Sequence, residues 1–374
     1  MNALRFLFVF IGFIGLNVYL YIRGRQALPD KSALQVLYTI LFILTAASVF
    51  IGVFLGNRLP VWLSMLFERT GGYYILLFVY IVAAVLIGDL LRIINHYFQF
   101  FPTWITTHYA QVKLMYFAAV IGFILIIVLI GNYRFVRPEI REMTFAVNNN
   151  ENQLENLTIV AASDLHMGNV IRGKRLRKWV TLINSQKPDL ILLVGDIFDH
   201  NYQTVVNQQM NKELEKLESK YGTYAVPGNH DYYTGLNKVI PYLEQAGIKV
   251  LRDSAVNIND RIVIVGRDDR TNAERKTLTG ILNSQNGHLP VVVIDHQPQG
   301  YMDSVNGNVY LHLSGHTHDG QIFPYNKIVK GIYELAYGYK KINNTHVYVS
   351  SGLGLWGAPL RIGTQSEIIK IHLK

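Results

Sequence analysis

The chain has 374 residues, half of them hydrophobic and 16% charged, with no cysteine and a net charge of +9. Soluble domains carry roughly 25% charge, so part of this chain is expected to lie outside bulk water; the lack of cysteine excludes disulfides, zinc–thiolate sites and thiol nucleophiles. Residues 1–141 carry +7 of the charge and residues 142–374 only +2, which places the basic excess beside apolar runs and argues against nucleic acid as a partner.

Four apolar stretches, residues 4–22, 33–55, 73–88 and 114–132, are long enough to cross a bilayer as helices, which takes about 20 residues. A secretory signal would account for the first alone, but no small-residue cleavage site follows it and three more stretches come after. Asp89 and Arg92 share one helical face and read as an i,i+3 ion pair near a helix end. The aromatic run from Tyr97 to Trp104 and the segment from Pro60 to Phe67 read as interfacial anchors. Four spans put both ends on one side. That side collects Arg5, Arg58, Arg69, Arg134, Arg137 and Arg141; the other collects Arg23, Arg25, Lys31, Arg92 and Lys113. Six against five is close to even and tilts the soluble part only slightly towards the cytoplasmic side.

A polar linker, residues 142–156, leads into short apolar runs that end in polar motifs. Strand 157–162 runs into Ser163-Asp164-Leu165-His166. Helix 174–186 and strand 190–194 lead to Gly195-Asp196-Ile197-Phe198-Asp199. Helix 208–220 and strand 223–226 lead to Gly228-Asn229-His230-Asp231. Strands 291–294 and 309–313 run into Asp295-His296 and Ser314-Gly315-His316-Thr317-His318. Apolar runs alternating with helices imply an α/β layered core, and all five polar clusters fall just past the carboxyl end of a strand, where open α/β sheets place their sites. Asp164, His166, Asp196, Asn229, His296, His316 and His318 are the oxygen and nitrogen donors that Mn, Fe, Zn or similar divalent ions take, in a number that suits two ions sharing a carboxylate. His316 and His318, two apart in an extended segment, would point to one face. The basic run Arg172, Lys174, Arg175, Arg177 and Lys178 fits a phosphate, an anionic membrane surface or a solvated helix face equally well. Gly352, Gly354 and Gly357 imply a tight loop, which without a lysine and a following helix is no P-loop.

The ordered set D-x-H, G-D-x-x-D, G-N-H-D, a lone His and G-H-x-H resembles the calcineurin-like metallophosphoesterases over residues 157–374. The stretches from His318 to Pro324 and from Gly352 to Arg361 look like its membrane-associated branch, which includes UDP-2,3-diacylglucosamine hydrolase-type enzymes. Two departures, Asp319 for Gly and Gln365-Ser366 for a Pro pair before Glu367, leave the candidate ligands untouched. The resemblance implies a β-sheet sandwich flanked by helices behind a multi-span α-helical membrane domain (residues 1–141). It implies one divalent ion on Asp164, His166 and His318, a second on Asn229, His296 and His316, and Asp196 bridging them. It further implies in-line hydrolysis by metal-activated water, with His230 stabilising the transition state or protonating the leaving oxygen. Asp231 is expected either to orient the His230 ring as a second catalytic group or to cap a turn; Asp199 is expected to sit behind the ligands.

The reading is a membrane-anchored phosphoesterase acting on a phosphate ester or pyrophosphate. The favoured substrate is amphiphilic, such as a UDP-diacyl sugar of lipid A assembly, with a lipid tail approaching along residues 60–67. The alternatives are a tethered general phosphodiesterase acting on nucleotides or other soluble esters, and a catalytically silent metal-binding sensor.

Overall fold

Uninterrupted apolar sequence produces long helices at the start of the chain: α1 (Ala3–Ala27), α2 (Ala33–Leu55), α3 (Val61–Phe98) and α5 (Tyr109–Val136), with the short α4 (Thr103–Thr107) between the last two. All four long helices have the length and composition of membrane spans. The computed structural model describes residues 3–55, 58–146, 157–284 and 289–374 and divides into two compact units, Met1–Ile130 and Gly131–Lys374.

In the first unit, α3 has 38 residues. At 1.5 Å per residue it is about 57 Å long, well over a hydrocarbon core of about 30 Å. The expected interfacial segment at residues 60–67 is therefore no separate element: Pro60 caps α3 and Val61 to Phe67 are its first two turns. Helix α3 ends where Gln99 turns left-handed (φ 46°). The side chain of Asn95 accepts from the Phe101 N–H at 2.6 Å, fixing the exit of the chain. Asp89 pairs with Arg92 at 3.0 Å as its spacing predicts, and also with Arg23 of α1 at 2.6 Å, which ties two helices together.

Among the described residues the second unit holds twelve strands: β1 (Glu139–Phe145), β2 (Leu157–Ala162), β3 (Leu190–Val194), β4 (Thr223–Val226), β5 (Ile248–Val250), β6 (Ser254–Ile258), β7 (Ile262–Gly266), β8 (Val291–Ile294), β9 (Leu311–Ser314), β10 (Gly338–Ile342), β11 (Thr345–Val349) and β12 (Glu367–Leu373). They form two six-stranded mixed sheets, ordered β1-β12-β2-β3-β4-β5 and β10-β11-β9-β8-β7-β6. Alternation along the strands builds the layers. In β3, Leu190, Leu192 and Val194 meet Ile264, Ile294 and Leu313 of the other sheet in the central core, while Ile191 and Leu193 face outward onto helix α6 (Gly173–Asn184). Helix α6 answers with Leu176, Trp179, Val180 and Ile183, a buried i, i+3, i+4, i+7 stripe. On the far side, Val263, Val265 and Val293 pack under Leu278 and Ile281. The result is a sandwich of two sheets with helices on both outer faces.

Two elements differ from the sequence reading. Residues 139–145, whose last four fell in the expected polar linker, form strand β1, parallel to β12 in the register Glu139↔Glu367. Residues 147–156 of that linker, among them residues 148–152, lie outside the described residues. The expected helix 208–220 is replaced by two short helices, Tyr202–Asn207 and Asn211–Leu214. Gln209 adopts a left-handed backbone (φ 50°) between them, and the break lets Met210 and Leu214 turn into the core.

Candidate metal centre

The loops after β2, β3, β4, β8 and β9 converge at one end of the sandwich, because those strands are parallel neighbours within their sheets. Among the described residues their polar side chains form three ligand-capable groups; one, His166 with Asp199 and His230, shares His166 with the first of the other two, which are Asp164 with His166 and His318, and Asp196 with His296 and His316. Asp196 lies towards both. Its Oδ2 is 3.1 Å from His296 Nε2 and 3.7 Å from His166 Nε2. Asn229 is buried with its Oδ1 unpartnered, and its neighbour His230 donates its backbone N–H to Asp196 Oδ1 at 2.8 Å.

The backbone is held in costly conformations to achieve this. Asp164, His166, Asp196, His316 and His318 all have positive φ, from 49° to 73°; for residues other than glycine such conformations cost on the order of 1–3 kcal/mol each and cluster at functional sites. The expected extended His316–His318 segment is accordingly a tight turn, and its two rings part company, one into each group. Gly315 permits the turn, since a Cβ there would collide with Ser163 and Asp164; Gly228 likewise leaves room for the Asp196 carboxylate.

Buried ligand atoms crowd together here, and His166 Nδ1, His318 Nδ1, His296 Nε2 and Asn229 Oδ1 have no hydrogen-bond partner among the described residues. His166 Nε2 and His318 Nε2 are 3.1 Å apart, and His318 Nε2 is 3.4 Å from Asp164 Oδ1. Two ligand nitrogens each about 2.1 Å from one ion lie roughly 3.0–3.4 Å apart, so this spacing suits a shared cation better than a hydrogen bond. Burial lowers the basicity of His166 and His316 to about 4 and that of His318 well below its ordinary value, leaving neutral rings with lone pairs to give. Burial opposes charge on His296, but the Asp196 carboxylate overrides it and raises the ring well above 6.5; His296 Nδ1 meanwhile is 2.9 Å from the Val194 carbonyl. The donor set, the burial and the orphaned nitrogens fit two divalent ions.

Asp199, not Asp231, serves His230. Asp199 Oδ1 is 3.2 Å from His230 Nδ1, 3.9 Å from His200 Nε2 and 4.0 Å from His166 Nδ1. Asp231 is fully buried and accepts from the backbone N–H groups of Gly228 (2.8 Å), Phe198 (2.8 Å) and Ile197 (3.2 Å). Burial raises its carboxyl to about 7, with the Asp196 charge adding to the shift. The expectation that Asp231 orients the His230 ring is thus replaced by the capping role: it fastens the loop carrying Asp196 to the loop carrying Asn229.

Sequence reasoning missed Arg361 and the job of the glycine-rich loop. The fully buried Arg361 donates to the carbonyls of Ser351 (2.7 Å), Gly352 (3.0 Å) and Gly354 (2.6 Å). The loop in turn donates from Leu353 to Ser163 (2.8 Å) and from Gly354 to Asp164 (2.9 Å). An arginine closing a glycine-rich run was the available signal. Of the basic run, Arg177 pairs with Glu213 at 2.9 Å and Arg175 lies over the Phe135 ring, so both serve the fold.

Residues 157–320 match the family model described as calcineurin-like phosphoesterase. An uncharacterized metallophosphoesterase of Helicobacter pylori is 32% identical over 63% of this chain and 64% of its own length, so the chain spans somewhat under two thirds of that relative. An uncharacterized metallophosphoesterase of Aquifex aeolicus is 32% identical over 58% of this chain and 85% of its own length. A zebrafish (Danio rerio) transmembrane protein with metallophosphoesterase domain is 28% identical over 94% of this chain and 83% of its own length. The apolar helices and this last relative mark a membrane protein. The chain belongs to the calcineurin-like phosphoesterases, whose fold works with a dinuclear metal centre.

Proposed function

We propose that the chain is a membrane-anchored hydrolase of phosphate esters or pyrophosphates, and that its substrate is amphiphilic. The observation that carries the hydrolase reading is the position of Asp196 between two groups of histidines and carboxylates, with His230 beside them. In this reading Asp164, His166 and His318 hold one divalent ion and Asn229, His296 and His316 the other, with Asp196 shared. Two ions bound there would polarise the phosphoryl oxygens and activate a water. His230, held through Nδ1 by Asp199, directs its other nitrogen to the leaving or developing oxygen and gives or shares a proton there. The Asp199 carboxylate outweighs burial and raises the basicity of His230, which suits a proton donor.

Four apolar helices, more than a tether needs, support an amphiphilic substrate, for which a UDP-diacyl sugar of lipid A assembly is the candidate. The membrane domain is assigned to the first unit, residues 1–130, and the hydrolase domain to the second, in which β1 joins the strands of residues 157–374. The bacterial inner membrane, with the hydrolase domain on its cytoplasmic face, is the location that goes with this substrate. The test uses the full chain, because truncation near residue 152 would strip β1 from its sheet. Hydrolysis of a chromogenic phosphodiester with added Mn, abolished by chelation, is expected; full turnover in excess chelator refutes the metal reading, and no turnover at any metal concentration favours the silent sensor. Each acyl methylene buried should contribute about 0.8 kcal/mol, so a long-chain ester should be preferred to its deacylated form. The reverse preference leaves a tethered general phosphodiesterase.

A further inference from the structure

The first unit contains a cavity of about 590 Å³ between α1, α2, α3 and α5, within the roughly 300–1,000 Å³ range of small-molecule sites. Its walls are apolar, with Phe42, Ile81, Val120 and Ile124 among them. It exists because α5 stands off from the other helices: the Tyr116 hydroxyl reaches the Ala84 carbonyl at 2.6 Å, and Lys113 Nζ reaches the Gln26 carbonyl at 2.8 Å.

The charged lining residues are Arg23, Asp89, Arg92 and Lys113, three cations to one carboxylate. Asp89 is already shared, at 2.6 Å from Arg23 and 3.0 Å from Arg92, and also accepts from the Tyr19 hydroxyl at 2.7 Å. Lys113 meets a backbone carbonyl and the Tyr109 ring, and no carboxylate among the described residues. The lining therefore carries an excess of two positive charges beside an apolar chamber. Uncompensated charge beside a bilayer is expensive, and both arginine and lysine bind phosphate oxygens well.

We propose that this cavity binds one anionic phospholipid, its phosphate held by Arg92 and Lys113 and an acyl chain lying against the apolar walls. The shape accounts for the chain and the charge excess for the headgroup. The site is independent of the phosphoesterase reading, and its test does not use hydrolysis.

The experiment is native mass spectrometry of the full chain in detergent, titrated with dioleoyl phosphatidylglycerol, dioleoyl phosphatidylcholine, oleate or glycerol phosphate. One phosphatidylglycerol per chain is expected, bound at least tenfold more tightly than phosphatidylcholine and not displaced by glycerol phosphate. Arg92→Gln with Lys113→Gln should weaken it at least tenfold, and Val120→Trp, which fills the chamber, should do the same. Equal retention of both phospholipids would reduce the cavity to a surface wetted by bulk lipid and overturn the proposal. Displacement by glycerol phosphate, or preference for oleate, would overturn it too, by making the ligand a free phosphate or a carboxylate. These comparisons need only the unsubstituted protein, so a variant that fails to fold does not rescue or sink the idea.

Discussion

The candidate sites in the two units carry opposite local charge imbalances, and the contrast says what each requires. In the second unit, Asp164 and Asp196 converge with rings kept neutral by burial, a concentration of electron pairs that calls for cations. In the first unit, Arg23, Arg92 and Lys113 line an apolar chamber with a single carboxylate, which calls for an anion with a greasy tail. The means of support differ as well. The metal centre is built on strand ends and strained loops locked by backbone hydrogen bonds, whereas the cavity arises from one helix standing away from its neighbours.

The largest expected effect tests the cation half of this contrast. Asp196→Asn removes the carboxylate lying towards both groups, and hydrolysis should fall at least a thousandfold with bound metal dropping below two ions per chain, read by elemental analysis. Two ions retained with near-normal turnover would show that the bridge has been misassigned. His230→Ala should lose about 10²–10⁴ in turnover while keeping both ions; loss of metal instead would make His230 a ligand. Asp199→Asn, which weakens the hold on the His230 ring without removing a ligand, should cost about 10–100-fold. Losses equal to those of Asp196→Asn would erase the distinction between them.

Those three residues also show how far the sequence could be read. Its five motifs fall at strand ends, where apolar runs give way abruptly to Asp, His and Asn, so the α/β layers and the gathering of these polar side chains at one end were legible, and the sandwich followed from the family resemblance. The partner of His230 was not, because adjacency along the chain favoured Asp231 whereas the turn at Gly228 points that carboxylate back at the Ile197 and Phe198 amides. The left-handed conformations of His316 and His318 were hidden for the same reason: spacing reads periodicity, and a strained turn has none. Strand β1 was missed because its exposed half, with Glu139, Arg141 and Glu142, looks like linker until β12 supplies the pairing. Arg361 was missed because a buried cation held by carbonyls leaves no sign in composition.

Arg361 tests whether the glycine-rich loop is a support for the metal centre. Arg361→Met keeps the side-chain volume but leaves the carbonyls of Ser351, Gly352 and Gly354 without their shared donor. A loss of about 3 kcal/mol in stability is expected, with a larger Mn requirement for activity as the loop under Asp164 loosens. An unchanged Mn requirement at reduced stability would confine Arg361 to the fold.

The smallest effect concerns a histidine in β9 that lies outside the metal centre. His312 is buried in β9, its Nδ1 2.7 Å from Ser304 Oγ and its Nε2 2.9 Å from Ser314 Oγ. Ser314 already donates to the Asp295 carbonyl at 2.7 Å, so Nε2 carries the ring proton and Nδ1 accepts from Ser304. The ring has no room for a second proton, and burial lowers its basicity to about 3, with Arg267 adding to the shift. The folded value lies below the unfolded value of 6.5, so the unfolded chain binds the extra proton between them. The contribution is therefore complete above pH 6.5 and lost as pH falls towards 3. By pH 5 the loss should reach about 2 kcal/mol. Denaturant unfolding at pH 7 and pH 5 should show the unsubstituted protein losing that much more stability than His312→Gln, which cannot take up a proton. If both lose the same amount, the acid sensitivity belongs to the histidines of the metal centre, and the ring in β9 is no more than packing.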